Sequence, residues 1–135
     1  MSRQTLQWSV FMVEPKAGGG GEFVVQLPVL VMSRESANEA LPIVTVLPLA
    51  GLKEGRRIYP NEASLPSEIT ALDSPAVLMA HQIRTVPKSS LSTRVGSIED
   101  PGLRSAIRAA VRVQLDLEPG TEDQIDVATK QESGI

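Results

Sequence analysis

The sequence predicts a strand-rich α+β domain, a strongly curved sheet followed by one C-terminal helix. Three observations carry that expectation. Apolar and polar residues alternate over several short segments, and Gly and Pro, ten of each, punctuate them at short intervals. A single stretch with helical periodicity lies near the C-terminus. With 135 residues, 41% of them hydrophobic and 21% charged, the chain has the size and the apolar content of one domain with one core.

Residues 5–13 alternate, with Leu6, Trp8, Val10 and Met12 in one phase and Thr5, Gln7 and Ser9 in the other, the pattern of a half-buried strand. The run Gly18, Gly19, Gly20, Gly21 predicts a mobile loop; it lacks a Gly-Lys-Ser/Thr ending, so it is no phosphate loop. Residues 23–32 read as an apolar strand, with Pro28 at an edge or at the start of the paired part, because proline has no N–H to donate. Residues 33–41 fit a loop carrying one turn of helix. Residues 43–49 are β-branched and read as a central strand ended by Pro48. A cationic stretch with Lys53, Arg56 and Arg57 follows, and residues 61–75, punctuated by Pro66 and Pro75, read as loop.

Residues 76–86 are the longest strand candidate: Val77, Met79, His81, Ile83 and Thr85 alternate with Leu78, Ala80, Gln82 and Arg84. Residues 94–98 make a short last strand, so five or six strands are expected in all. The helix then opens at Asp100, an N-cap residue, with Pro101 at the first helical position and Glu99 at the positive end of the dipole. Leu103, Ile107, Val111 and Leu115 form an i, i+4 apolar row with Ala106, Ala110 and Val113 beside it; Arg104, Arg108 and Arg112 form a second row, a solvated face or part of a partner contact. Pro119 and Gly120 are expected to end the helix. From residue 118 on, Glu118, Glu122, Asp123, Asp126 and Glu132 outweigh Lys130, so residues 118–135 read as an acidic flexible tail on a domain of residues 1–117.

Composition removes several function classes. The chain has no cysteine, which excludes disulfides, thiol nucleophiles and Cys-ligated metals. One histidine, His81, leaves a Ser-His-Asp triad a single possible ring, and no metal or other cofactor is expected. No apolar run approaches the roughly 18 residues that a membrane span needs. The N-terminus lacks the apolar core and small-residue cleavage site of a signal peptide, so the expected location is the cytoplasm. A net charge of −3 does not announce a nucleic-acid binder, although a local basic patch suffices for one.

Residues 73–88, Asp-Ser-Pro-Ala-Val-Leu-Met-Ala-His-Gln-Ile-Arg-Thr-Val-Pro-Lys, are similar to the DSxxLAxQIRTxxKxRL strand and turn of the MazF/PemK family of toxin–antitoxin ribonucleases. Residues 27–33 resemble the family's RPxLVxS segment; residues 44–49, residues 57–62 and the closing Gly96-Ser97-Ile98 with its helix follow in the family's order. The resemblance covers about 90 of 135 residues. It implies a small SH3-like barrel with a C-terminal helix, normally a homodimer, that cuts single-stranded mRNA without metal. The implied chemistry is attack of a ribose 2′-hydroxyl on the adjacent phosphate, assisted by an Arg just before the Pro of the first segment and a Thr just after the second strand. Here Leu27 and Ala50 occupy those positions.

The resemblance implies an RNA-binding set of Gln82, Arg84 and Thr85, to which Lys53, Arg56 and Arg57 add a candidate phosphate-tracking patch, and a partner antitoxin with an acidic disordered segment that competes with RNA. His81 stands where an acidic residue is common in the family and reads as a core or surface histidine. Aromatic residues (Trp8, Phe11, Phe23, Tyr59) are too few for an extended stacking platform, and Trp8 is expected in the core. The alternatives are a non-catalytic antitoxin- or RNA-binding member, or a gyrase poison like CcdB on the related fold. CcdB ends in Trp-Gly-Ile, whereas this chain ends Ser133-Gly134-Ile135.

Overall fold

The computed structural model describes residues 4–15, 26–70 and 74–117. The glycine run, Phe23, Asp73, Pro119, Gly120 and the acidic C-terminal stretch lie outside them. Among the described residues the chain forms β1 (Ser9–Val13), β2 (Leu27–Val31), α1 (Glu35–Ala40), β3 (Ile43–Gly51), β4 (Glu62–Leu65), β5 (Ala76–Met79), β6 (Arg84–Pro87), β7 (Leu91–Ser97) and α2 (Pro101–Leu115). The expected architecture is present: a strand-rich α+β domain with a C-terminal helix. The strands pair antiparallel in the order β4-β5-β3-β2-β1-β7, with β6 also on β3.

Two expectations for β3 and the segment after it are corrected. Pro48 does not end β3: the strand runs to Gly51, and Pro48 stands inside it opposite Val29. Among the described residues there are also seven strands rather than five or six: β4 and a 3-10 turn, Ser67–Ile69, lie in the segment expected as loop, and residues 76–86 supply two strands. β4 does alternate, Glu62-Ala63-Ser64-Leu65, but four residues with two apolar side chains, closed by Pro66, are too short a run to mark a strand by themselves.

The third correction concerns residues 76–86, which are not one strand. A 3-10 turn, Ala80–Gln82, divides them into β5 and β6 on the same edge of β3. Leu49 faces Leu78, so an unbroken register would set Val46 against His81; Val46 faces Arg84 instead. The turn therefore removes three residues from the ladder. His81 becomes an exposed surface residue and Arg84 takes its place in the sheet.

β3 separates two apolar clusters because its alternate side chains point to opposite faces. Leu47 and Leu49 join Trp8, Val10, Leu30, Leu65, Leu78, Ile98 and Ile107 on one face; Val44 and Val46 join Val13, Val29, Val31 and Val86 on the other. β1 serves both by the same alternation, with Val10 in one cluster and Val13, with Phe11 packed beside it, in the other. The turn after β4 crosses β7 so closely that a Cβ at Gly96 would lie 2.9 Å from the Ile69 carbonyl oxygen. The two ends of the strand order therefore meet, which curves the sheet on itself.

α2 packs on β4 and the Ala80–Gln82 turn. Asp100 caps it, accepting a hydrogen bond from the Leu103 N–H at 2.9 Å. Ile107 and Ala110 are buried and Leu103 and Val111 half-buried, but Leu115 is exposed: the helix ends at Leu115 with Asp116 in a left-handed C-cap, ahead of Pro119. The arginine row is not a uniformly solvated face. Trp8 is buried as expected, and the guanidiniums of Arg104 and Arg108 lie 4.9 and 5.1 Å from the centre of its ring. Arg104 also donates to the Ile98 carbonyl.

Candidate functional site

β2 and β3 are paired from Val29 opposite Pro48 to Val31 opposite Val46. Leu27 lies two residues before the last of these pairs on β2, and Ala50 two residues after it on β3. Both are half-buried, and Leu27 packs against the valine cluster. The two positions that the sequence singles out, 23 residues apart, thus flank the junction where β3 leaves β2 and turns to pair with β5 through Ala50 and Val77. Neither side chain can donate a hydrogen bond or carry charge.

Beyond this junction the chain enters the loop between β3 and β4. Leu52 donates its N–H to the Pro75 carbonyl at 2.8 Å, and Gly55, at φ +81°, supplies a left-handed turn that a side chain would strain. A cleft of about 550 Å³ opens here, lined by Leu52, Lys53, Glu54, Gly55, Arg56, Ser74 and Pro75. Lys53 is exposed, three residues from Ala50.

At the far end of the loop the charges are organised. Arg56 makes two hydrogen bonds to Glu62, at 2.9 and 2.8 Å, and donates to the Arg57 carbonyl. Glu62 is buried and also accepts from the Tyr59 N–H at 3.0 Å. The hydrogen bonds from Arg56 hold its carboxyl down to about 2, well below the usual carboxylate range, against the opposing effect of burial; the Tyr59 N–H and His81 contribute less. The same pairing raises the Arg56 guanidinium. A second cleft, of about 590 Å³, lies beside this corner between Tyr59, Pro60, Asn61, Glu62, His81 and Val113.

The sequence-predicted residues fall into two groups. Gln82, Arg84 and Thr85 stand at the break between β5 and β6. There the Gln82 side-chain oxygen accepts from Arg84 at 2.9 Å, while Thr85 is exposed and pairs with Thr45. Lys53, Arg56 and Arg57 stand on the β3–β4 loop, with Arg56 committed to Glu62 and Arg57 exposed, its guanidinium 5.3 Å from the centre of the Tyr59 ring. Sequence reasoning missed Glu62 as the anchor of this loop; the only signal is an acid six residues after Arg56, which acquires meaning once the loop folds back. Among the described residues no group of three or more His, Asp or Glu side chains lies together as a metal site would need, and no helix is long and apolar enough to cross a membrane.

A family model described as PemK-like, MazF-like toxin of type II toxin–antitoxin system matches residues 6–115. None of the curated proteins matches the chain in sequence. Among solved structures, an endoribonuclease in complex with its cognate antitoxin from a mycobacterial species superposes with a TM-score of 0.66 at 22% identity, covering 85% of this chain and 98% of the other. The Mycobacterium tuberculosis toxin MazF-mt6 gives 0.65 at 21% identity, with 82% and 98% covered. A MazE–MazF complex from Deinococcus radiodurans gives 0.62 at 19% identity, with 85% and 98% covered. At these identities the likeness is one of fold.

Proposed function

Because the chain belongs to the PemK-like, MazF-like toxins of type II toxin–antitoxin systems, we propose that it binds single-stranded RNA and cleaves it slowly, without a metal ion, under the control of an antitoxin. The observation that carries this reading is the junction of Leu27 and Ala50 beside the cleft that holds Lys53. The reaction forms a P–O2′ bond as the P–O5′ bond breaks. The 2′-hydroxyl gives up its proton, the leaving 5′-oxygen gains one, and the products are a 2′,3′-cyclic phosphate and a free 5′-hydroxyl. Negative charge accumulates on phosphorus-bound oxygens on the way, so a fixed cation lowers the barrier.

Leu27 and Ala50 supply neither a cation nor a donor. One missing donor costs about 3 kcal/mol of barrier, and the cation and hydroxyl together roughly four powers of ten in rate. Lys53, at the rim of the adjoining cleft, is the group in position to restore part of the charge. Gln82 and Arg84, with Arg57, would track the backbone, Thr85 would add a polar contact, and Arg56 would act through Glu62 by shaping the loop. The protein works as a homodimer in the cytoplasm, and the antitoxin offers an acidic segment that competes with RNA for Lys53 and Arg57. The antitoxin complexes among its structural neighbours support that partnership.

The test is incubation of the purified protein, in the presence of a chelator, with single-stranded RNA of mixed sequence. Slow formation of 2′,3′-cyclic ends is expected, and RNA left intact overturns catalysis. Lys53→Ala with Arg57→Ala should weaken binding for every sequence and reduce the slope of log K against log salt by roughly 1.4, about 0.7 for each cation withdrawn from the phosphates of a single strand. A second reading, a binding member without hydrolysis, is favoured by one observation: Leu27 is packed into the valine cluster as an ordinary apolar residue. Tight RNA or antitoxin binding with no cyclic product would establish it.

A further inference from the structure

We propose that the cleft at Tyr59 is a stacking subsite for one unstacked nucleobase of single-stranded RNA, with the adjoining phosphate on Arg57. Tyr59 is 49% exposed, a large ring left in solvent on a loop that is otherwise fixed. Its backbone is tied at both ends: the Tyr59 N–H donates to Glu62, and the Glu62 N–H donates back to the Tyr59 carbonyl at 2.9 Å. A ring presented this way loses little freedom on binding, so a contact to it is not eroded by ordering.

The surroundings match a nucleotide. The guanidiniums of Arg56 and Arg57 stand 5.9 and 5.3 Å from the centre of the ring. Glu62 neutralises Arg56, while Arg57 has no ion pair among the described residues, so the rim has an uncompensated positive charge at one point. Pro60 and Val113 supply apolar walls, and the cleft of about 590 Å³ has room for a base and its sugar. Two polar groups reach the same space: the His81 side chain, and Asn61, whose amide donates to Gln114 at 3.0 Å and leaves its oxygen free to accept from a base edge.

A flat apolar ring bordered by guanidinium is the usual means of holding an unpaired base, since every base has a π-face and carries a phosphate beside it. The cleft opens at the Met79–Glu62 end of the β4–β5 pair, whereas Ala50 faces Val77, two residues along β5. The two places are about 7 Å apart along β5 and, lying on the strands at its two edges, about 10 Å apart across it, a distance that about two nucleotides of one RNA strand can span. The inference rests on the RNA-binding reading and adds a site for a base near the scissile link.

The test measures binding of short fluorescent oligouridylate and oligoadenylate to the full chain. Tyr59→Ala should weaken binding about tenfold and leave the salt slope unchanged, because stacking is not ionic, while Tyr59→Phe should bind as the wild type does. Arg57→Ala should instead lower the slope by about 0.7. RNA containing 4-thiouridine should crosslink to the segment with Tyr59. If the wild type holds RNA and Tyr59→Ala holds it equally, the stacking site falls and the RNA-binding reading stands. An acidic peptide, but no oligonucleotide, perturbing the amides of Tyr59, Asn61 and Val113 would also overturn it; a wild type that holds no RNA removes both.

Discussion

The loop between β3 and β4 joins two regions of opposite chemistry. At its start, Leu27, packed on a cluster of valines, and Ala50 flank the end of the β2–β3 pairing and offer no polar side chain to a ligand. At its end, a buried carboxylate is held by a guanidinium and a backbone N–H, and Tyr59 stands exposed above them. Burial of Glu62 is tolerable because hydrogen bonds from charged and backbone donors within the fold replace those it would make to water. The loop thus ends on a buried polar anchor, while Leu27 at the junction lines the valine cluster.

The largest effect should come from restoring polarity to the apolar region. Leu27→Arg with Ala50→Thr should raise metal-free RNA cleavage by roughly two to four powers of ten, measured from cyclic-phosphate product, since the pair restores a cation and a hydroxyl donor. An unchanged rate would show that this junction is not where the phosphate sits.

Removing polarity from the other region comes next. Glu62→Gln keeps the size of the side chain but loses its charge, and should cost roughly 1–3 kcal/mol at neutral pH in denaturant unfolding. The sign with pH follows from the carboxyl, which titrates near 4.5 when free and about 2 in the fold. Its stabilisation is complete above the higher value and disappears as pH falls through the lower one. The wild type should therefore lose stability over that window, and Glu62→Gln should lose less there. Curves that stay parallel would mean that Arg56 and Glu62 do not pair in solution.

The smallest effect is expected at a place that belongs to neither region. Asp100→Ala removes the cap of α2 and should cost about 1 kcal/mol in denaturant unfolding, with RNA binding unchanged. A loss of binding would reveal that α2 positions the Tyr59 cleft through Val113 and Gln114 more strongly than packing alone suggests.

Local chemistry governs the part of this fold that is legible in the sequence. The apolar run from Val29 to Val31 and the β-branched run from Val44 to Leu49 mark strands, the step from Asp100 to Pro101 marks a helix start, and a Trp among apolar neighbours marks the core. The resemblance to the family motif singles out Leu27 and Ala50, and the register sets them on either side of the last β2–β3 pair. The rest took shape only in the tertiary structure. Pro48 stays inside β3 because the neighbouring strands β2 and β5 hold that strand extended. The alternation through His81 breaks because β5 and β6 must pair with different parts of one curving strand, and a three-residue turn takes up the difference. Glu62 finds Arg56, and Arg104 finds Trp8, only after the chain has folded back. Such contacts are made between residues distant in sequence or across a turn, and neither periodicity nor propensity carries information about which of them closes.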